Sequence, residues 1–148
     1  MKNILKSTLK KAIILFSLNI LLYSCMMDQK IDSRILNILN KSNEKVFYFE
    51  SQNDFLNLPF KIEDIYNDSL QLDYYSIEKD DSTTFSPRGT WENYLSKCSN
   101  NKLRIFVIRK SLIDKYGWKI VNSRKLYNNK FVLNVSMMDK LNWNLTIR

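Results

Sequence analysis

"KLRIFVIR", residues 102–109, runs directly into "KSLIDKYGW", residues 110–118, and this junction decides the fold class. The first stretch is dense in β-branched and aromatic side chains and bounded by Asn-Asn and Ser, which predicts a strand. Lys102, Arg104, Arg109 and Lys110 are expected on its solvated face and at its ends. "SLIDKYGW" at 111–118 then recurs as "SMMDKLNW" at 136–143, with Ser, Asp, Lys and Trp at matching positions. The flanks repeat as well: "RIFVIRK" and "KFVLNV" precede the two copies, "KIVNS" and "NLTIR" follow them. Both read as strand, capped helical turn, Trp, extended segment.

Each residue of the doubled motif has an expected local task. Ser111 with Asp114, and Ser136 with Asp139, approximate a capping box, although Glu or Gln is the usual fourth residue. The hydroxyl would accept from an orphan backbone N–H, and the acid suits the positive end of the helix dipole. Lys115 and Lys140 lie nearer the negative end. Gly117 and Asn142 tolerate the left-handed conformation that ends helices. Trp118 and Trp143 are then placed to fold back onto the turn. A catalytic reading would make the two Ser nucleophiles, or Asp114 and Asp139 an acid/base pair. Capping accounts for the same residues with fewer assumptions.

Outward from this junction the pattern stays mixed. "TWENYLSKC", residues 90–98, begins with Thr90 as N-cap and sets Trp91, Tyr94 and Leu95 on one helical face. "DDSTTFSPRG" at 80–89 reads as turn, "YYSIEK" at 74–79 as strand, and residues 51–73 as loop with at most one short element. "KVFYFE" at 45–50 is a strand, and "ILNIL" at 35–39, close before it across "NKSNEK", completes an expected β-hairpin. The fold class predicted is α+β: a small, mainly antiparallel β-sheet domain with two or three short helices.

The N-terminus reads differently. Lys2, Lys6, Lys10 and Lys11 precede the apolar "AIILFSLNILL" at 12–22, the pattern of a secretory signal. That run falls short of the about 20 apolar residues that span a bilayer. "LYSC" at 22–25 resembles the lipobox of bacterial lipoproteins, in which the Cys is lipidated and becomes the mature N-terminus. The expected organisation is a signal peptide over 1–24, lipidated Cys25 with a tether over 25–33, and one α+β domain over 34–148. Membrane lipid is thus an expected partner through Cys25, in the cell envelope, at the outer membrane and facing periplasm or surface.

Charge follows the same division. The chain carries 23 basic and 15 acidic residues, net +8. Loss of the leader's four Lys halves that excess, which weakens a nucleic-acid footprint. Residues 25–81 are acidic on balance and 82–148 strongly basic. Two halves of opposite sign attract each other, or a basic face meets an acidic partner.

The chain has no His and two Gly. The first absence removes the commonest catalytic base and metal ligand. The second removes a Gly-rich phosphate loop. Asp80 and Asp81 form an acidic pair too small to signal calcium. With Cys25 lipidated, Cys98 has no partner and is expected as a small buried side chain. Three Trp, eight Tyr and eight Phe are expected mainly in the core, with Tyr74, Tyr75, Trp91 and Tyr94 as alternative lining for a sugar- or peptide-binding surface. No catalytic residue, metal or cofactor is expected.

From about Lys45 onward, the order "TWENY", "LRIFVI", "LIDKYGWKIV", "LNVSMMDKLNWNLTI" resembles a group of small lipoproteins of Gram-negative bacteria. The resemblance implies the architecture and the envelope location, and no residue role. The expected function is a non-enzymatic binding or accessory lipoprotein that recruits a protein through an exposed strand edge or the basic C-terminal half. The alternatives are an immunity lipoprotein against a secreted toxin and an envelope hydrolase using Asp114 and Asp139.

Overall fold

The computed structural model describes residues 32–60 and 69–148; Cys25, the leader and most of the tether lie outside them. Asp32–Arg148 forms one compact unit. Asp32, the penultimate residue of the expected tether, already belongs to it. Its carboxylate accepts from the backbone N–H and guanidinium of Arg34 and from the backbone N–H of Trp91.

Seven strands build two sheets. The first runs in the order β4 (Ser82–Phe85), β1 (Leu36–Asn40), β7 (Asn144–Ile147), with β1 antiparallel to β4 and parallel to β7. The second is antiparallel throughout, in the order β3 (Ser76–Ile77), β2 (Val46–Ser51), β5 (Leu103–Arg109), β6 (Asn129–Leu133). Four α-helices, α1 (Ser69–Tyr74), α2 (Trp91–Ser96), α3 (Lys110–Ser123) and α4 (Val135–Lys140), and a short 3-10 helix at Ser99–Asn101 complete the described residues. The architecture is the small α+β domain read from the sequence, mainly antiparallel, with one parallel pair.

Two cores explain why β5 is apolar without alternation from Ile105 to Ile108. Leu103, Ile105 and Val107 face the first core, shared with Leu36 and Ile38 of β1, Val46 and Tyr48 of β2, and Leu145 and Ile147 of β7. Phe106 and Ile108 face the second, where Phe47, Phe49 and Leu56 meet Trp118 and Val121 of α3. The layers are therefore sheet, sheet, helix. A strand buried on both faces loses the polar alternation of a half-exposed one.

The expected hairpin is not made. β1 and β2 are strands, but they belong to different sheets. The short link between them is a corner at which the chain changes sheet, and the link from β3 to β4 is a second corner. Asn40 joins the two. Fully buried, it has its amide nitrogen 2.8, 3.0 and 3.1 Å from the carbonyls of Glu44, Ile77 and Glu78. Its side-chain oxygen accepts from the Ser42 N–H and hydroxyl. Hairpin pairing would leave these polar groups buried without partners.

Two further segments differ from expectation. Residues 82–85, read as turn, form the edge strand β4, where Phe85 packs on Trp91 and Tyr94 with centroids 5.5 and 5.6 Å apart. Of "YYSIEK", only Ser76–Ile77 is strand, and Tyr74 ends α1. The clearest predicted helix holds: Thr90 caps α2 by accepting from the Asn93 N–H at 3.2 Å, and Trp91 and Leu95 are buried.

Candidate functional site

The doubled motif does not form a site. Asp114 lies on α3, against the outer core, and pairs with Lys110 at 2.6 Å. Asp139 lies on α4, which packs into the core between the sheets, and accepts from the Trp143 indole N–H at 3.0 Å. The two carboxylates thus serve helices on opposite faces of the second sheet.

Nor are Ser111 and Ser136 caps. Both sit one residue inside their helices. At α3 the orphan donors are met from across the fold: the Glu44 carboxylate accepts from the Ser111 N–H at 2.7 Å and its hydroxyl at 2.9 Å. At α4 the cap is Asn134, whose side chain accepts from the Met137 N–H at 2.8 Å. The stop in the second copy is as expected. Asn142 is left-handed (φ 49°), its N–H bonds to Asp139 O, and Trp143 N–H bonds to Met138 O, which is the Schellman arrangement. In the first copy Gly117 (φ 71°, ψ 156°) kinks the helix, which continues to Ser123 instead of becoming extended. Burial of Trp118 and Val121 holds that continuation, with Trp118 edge-on to Phe47 at 5.0 Å.

Other sequence candidates resolve into structure. Cys98 is a buried free thiol, its ionisation pushed up by burial. Trp91 is fully buried, Tyr75 and Tyr94 are half-buried, and Tyr74 is exposed. Asp80 pairs with Lys41, and Asp81 accepts from the Ser82 N–H. Among the described residues no group of three metal-ligating side chains converges.

Arg104, expected on a solvated face, is only 3 % exposed. Since β5 is covered on both sides, its guanidinium turns to the carbonyls of Ser99 and Lys102 and to Asp54. Asp54 also accepts from Lys130 at 2.7 Å, and that contact first, then Arg104, holds its carboxyl below the usual range. Here an acid of the 25–81 half meets bases of the 82–148 half as expected, whereas Arg34 bonded to Glu92 joins the halves with the signs reversed.

The feature with the geometry of a site lies elsewhere. β6 pairs only with β5, and β7 only with β1, so each leaves an outer edge without a strand among the described residues. The two edges flank a groove of about 600 Å³, into which α4 projects from the chain that links them. Phe131, Leu133, Met137, Leu141 and Leu145 give it an apolar lining, and Met137 and Leu141 are 44 % and 42 % exposed. Its charged lining residues are Lys130 and Arg148, with no carboxylate side chain. The Arg109 guanidinium approaches from the end of β5 and donates to the Arg148 carbonyl at 2.8 Å. The sequence signal for this groove was two apolar runs read correctly as strands; that both become edges was not readable. A second hollow of about 370 Å³, between α2 and the start of α4, is lined by Glu92, Ser96, Asn101 and Ser136 over Leu95 and Val135.

Fold and groove together define a two-sheet α+β domain with an open side. No family model matches the sequence, and neither the curated proteins nor the solved structures contain a match.

Proposed function

We propose that this chain is a membrane-anchored bacterial lipoprotein acting as a binding or accessory module in the cell envelope, and that it holds a protein partner at the open side of its domain. The anchor reading rests on the basic leader, the apolar run and "LYSC", with lipid attached at Cys25. Several acyl chains on one Cys hold a protein at a membrane firmly, where one chain holds it marginally.

The observation that carries the binding reading is the pair of open strand edges flanking an apolar groove. An open edge presents unpaired N–H and C=O groups, and recognition by strand addition uses them. Natural edges are commonly blunted by charge. β6 (Asn129–Leu133) carries one charged residue along its length, Lys130.

Two measurements test this reading. Cys25→Ala should move the protein from the membrane to the soluble fraction; a variant that stays with membranes would remove the anchor. The purified domain should retain one envelope protein in fixed ratio, and Val132→Glu with Thr146→Glu should abolish retention while melting is unchanged. Retention of nothing by the unmodified domain would overturn the binding role.

A further inference from the structure

We infer that the occupant of the β6–β7 groove is an extended, acidic segment of a separate protein, added as a strand along these edges; this deepens the binding reading above and rests on it. An added strand sends alternate side chains to opposite sides. One set would meet the apolar lining formed by Phe131, Leu133 and Leu145; the other would run along the cationic rim. With β6 five residues long, the matching segment is about five residues of alternating aliphatic and acidic side chains.

Charge selects the acid. Lys130 and Arg148 line the groove and no carboxylate side chain does. Arg109 adds a third cation next to Arg148, and its Nε is buried with no acceptor among the described residues. Asp54 answers Lys130, but it also answers Arg104, so one carboxylate stands against two cations there. The link between β3 and β4, at the opposite edges, holds Glu78, Asp80 and Asp81 with Lys79, and Glu78 and Asp80 pair there with Lys45 and Lys41.

That acidic side of a second copy would also complement the groove. Such a contact joins two different edges, and a heterologous contact of this kind builds a ring or an open filament of copies. The partner is assigned to a different protein, and self-association is an outcome of the test that would overturn this.

The test uses the full-length anchored protein in its own membranes. A photo-cross-linking residue replaces Val132 on β6, Thr146 on β7, or Lys119 on the far helix α3, and the cross-linked peptides are sequenced by mass spectrometry. The expected result is one partner segment, acidic with alternating aliphatic residues, attached at both Val132 and Thr146. Arg148→Glu should lower that yield about fivefold, as expected for reversing one charge at an interface rim. Peptides of this same chain, a segment without acidic residues, or a yield unchanged by Arg148→Glu would each overturn the inference. Labelling at Lys119 alone would overturn the groove and leave the binding role standing. No labelling at any position would overturn both.

Discussion

Asn40 shows how much a single side chain decides. Its carboxamide satisfies three carbonyls and Ser42 where two corners of the chain meet, in a place closed to water. Asn40→Ala should lower stability by about 3 kcal/mol by orphaning that set, read as the denaturant midpoint at unchanged slope; a loss under about 1 kcal/mol would mean water replaces the amide. Asp32 and Glu50 make opposite pH predictions. Bonds from Arg34, then from backbone N–H groups of Arg34 and Trp91, hold the Asp32 carboxyl well below the usual range despite its burial. A lowered folded pKa stabilises above the unfolded value and loses that contribution as pH falls. Asp32→Asn should therefore lower the melting temperature at pH 7, and the gap to wild type should narrow below about pH 4. Glu50 is pushed up by burial, and its neighbour Tyr94 is pushed up to about 12, first by burial and then by the Glu50 charge. A raised carboxyl destabilises the fold once it ionises. Glu50→Gln should thus raise the melting temperature at pH 7 and leave it unchanged near pH 4; the same gain at both would show that ionisation is not the cause.

At the scale of elements, the repeat in the sequence is not a repeat in the structure. The eight-residue copies share composition because both leave a strand for a helix, but their helices are 14 and 6 residues long. The true counterpart of Asn142 is Lys125 (φ 52°), where the Leu126 N–H bonds to Val121 O and closes α3 in the same Schellman arrangement. Capping predictions shift accordingly. Asn134→Ala should cost about 1 kcal/mol, within the usual range for a lost N-cap, while Ser136→Ala should change stability little. Equal losses in chemical denaturation would restore the capping-box reading. Gly117 occupies a conformation that side chains avoid, and a Cβ there would meet no heavy atom within 4 Å. Gly117→Ala should therefore lose about 2 kcal/mol from backbone strain alone, whereas Asn142→Gly should be close to neutral. A neutral Gly117→Ala would mean the kink relaxes.

For the whole molecule, the open side of the two sheets and the charge around it carry the functional proposal. Raising the salt from about 0.05 to 0.5 M should weaken partner capture, because screening at the higher ionic strength shortens the reach of exposed charge to a few ångströms; salt-insensitive capture would place the binding in the apolar lining alone. How much of this was legible divides by distance along the chain. The α+β class, β5 and its apolar density, α2 with its Thr90 cap, buried Cys98 and the stop at Asn142 all rest on neighbours within a few residues. Composition and short-range spacing determine such features, because backbone donors near a cap or turn can be met locally. The hairpin, the Ser111 cap, the end of the helix at Gly117 and the solvated Arg104 failed because their partners are remote, whereas Ser136 yields its cap to Asn134 two residues before it. Glu44 reaches Ser111, Asp54 reaches Arg104, Phe47 meets Trp118, and Asn40 meets Ile77. The expected leader and "LYSC" lie outside the described residues and stay expectations. By itself, then, the sequence determined the class and the strongest elements. Only tertiary structure decided which strands become edges and which polar groups are buried together, because sheet pairing and desolvation depend on what the rest of the chain brings alongside.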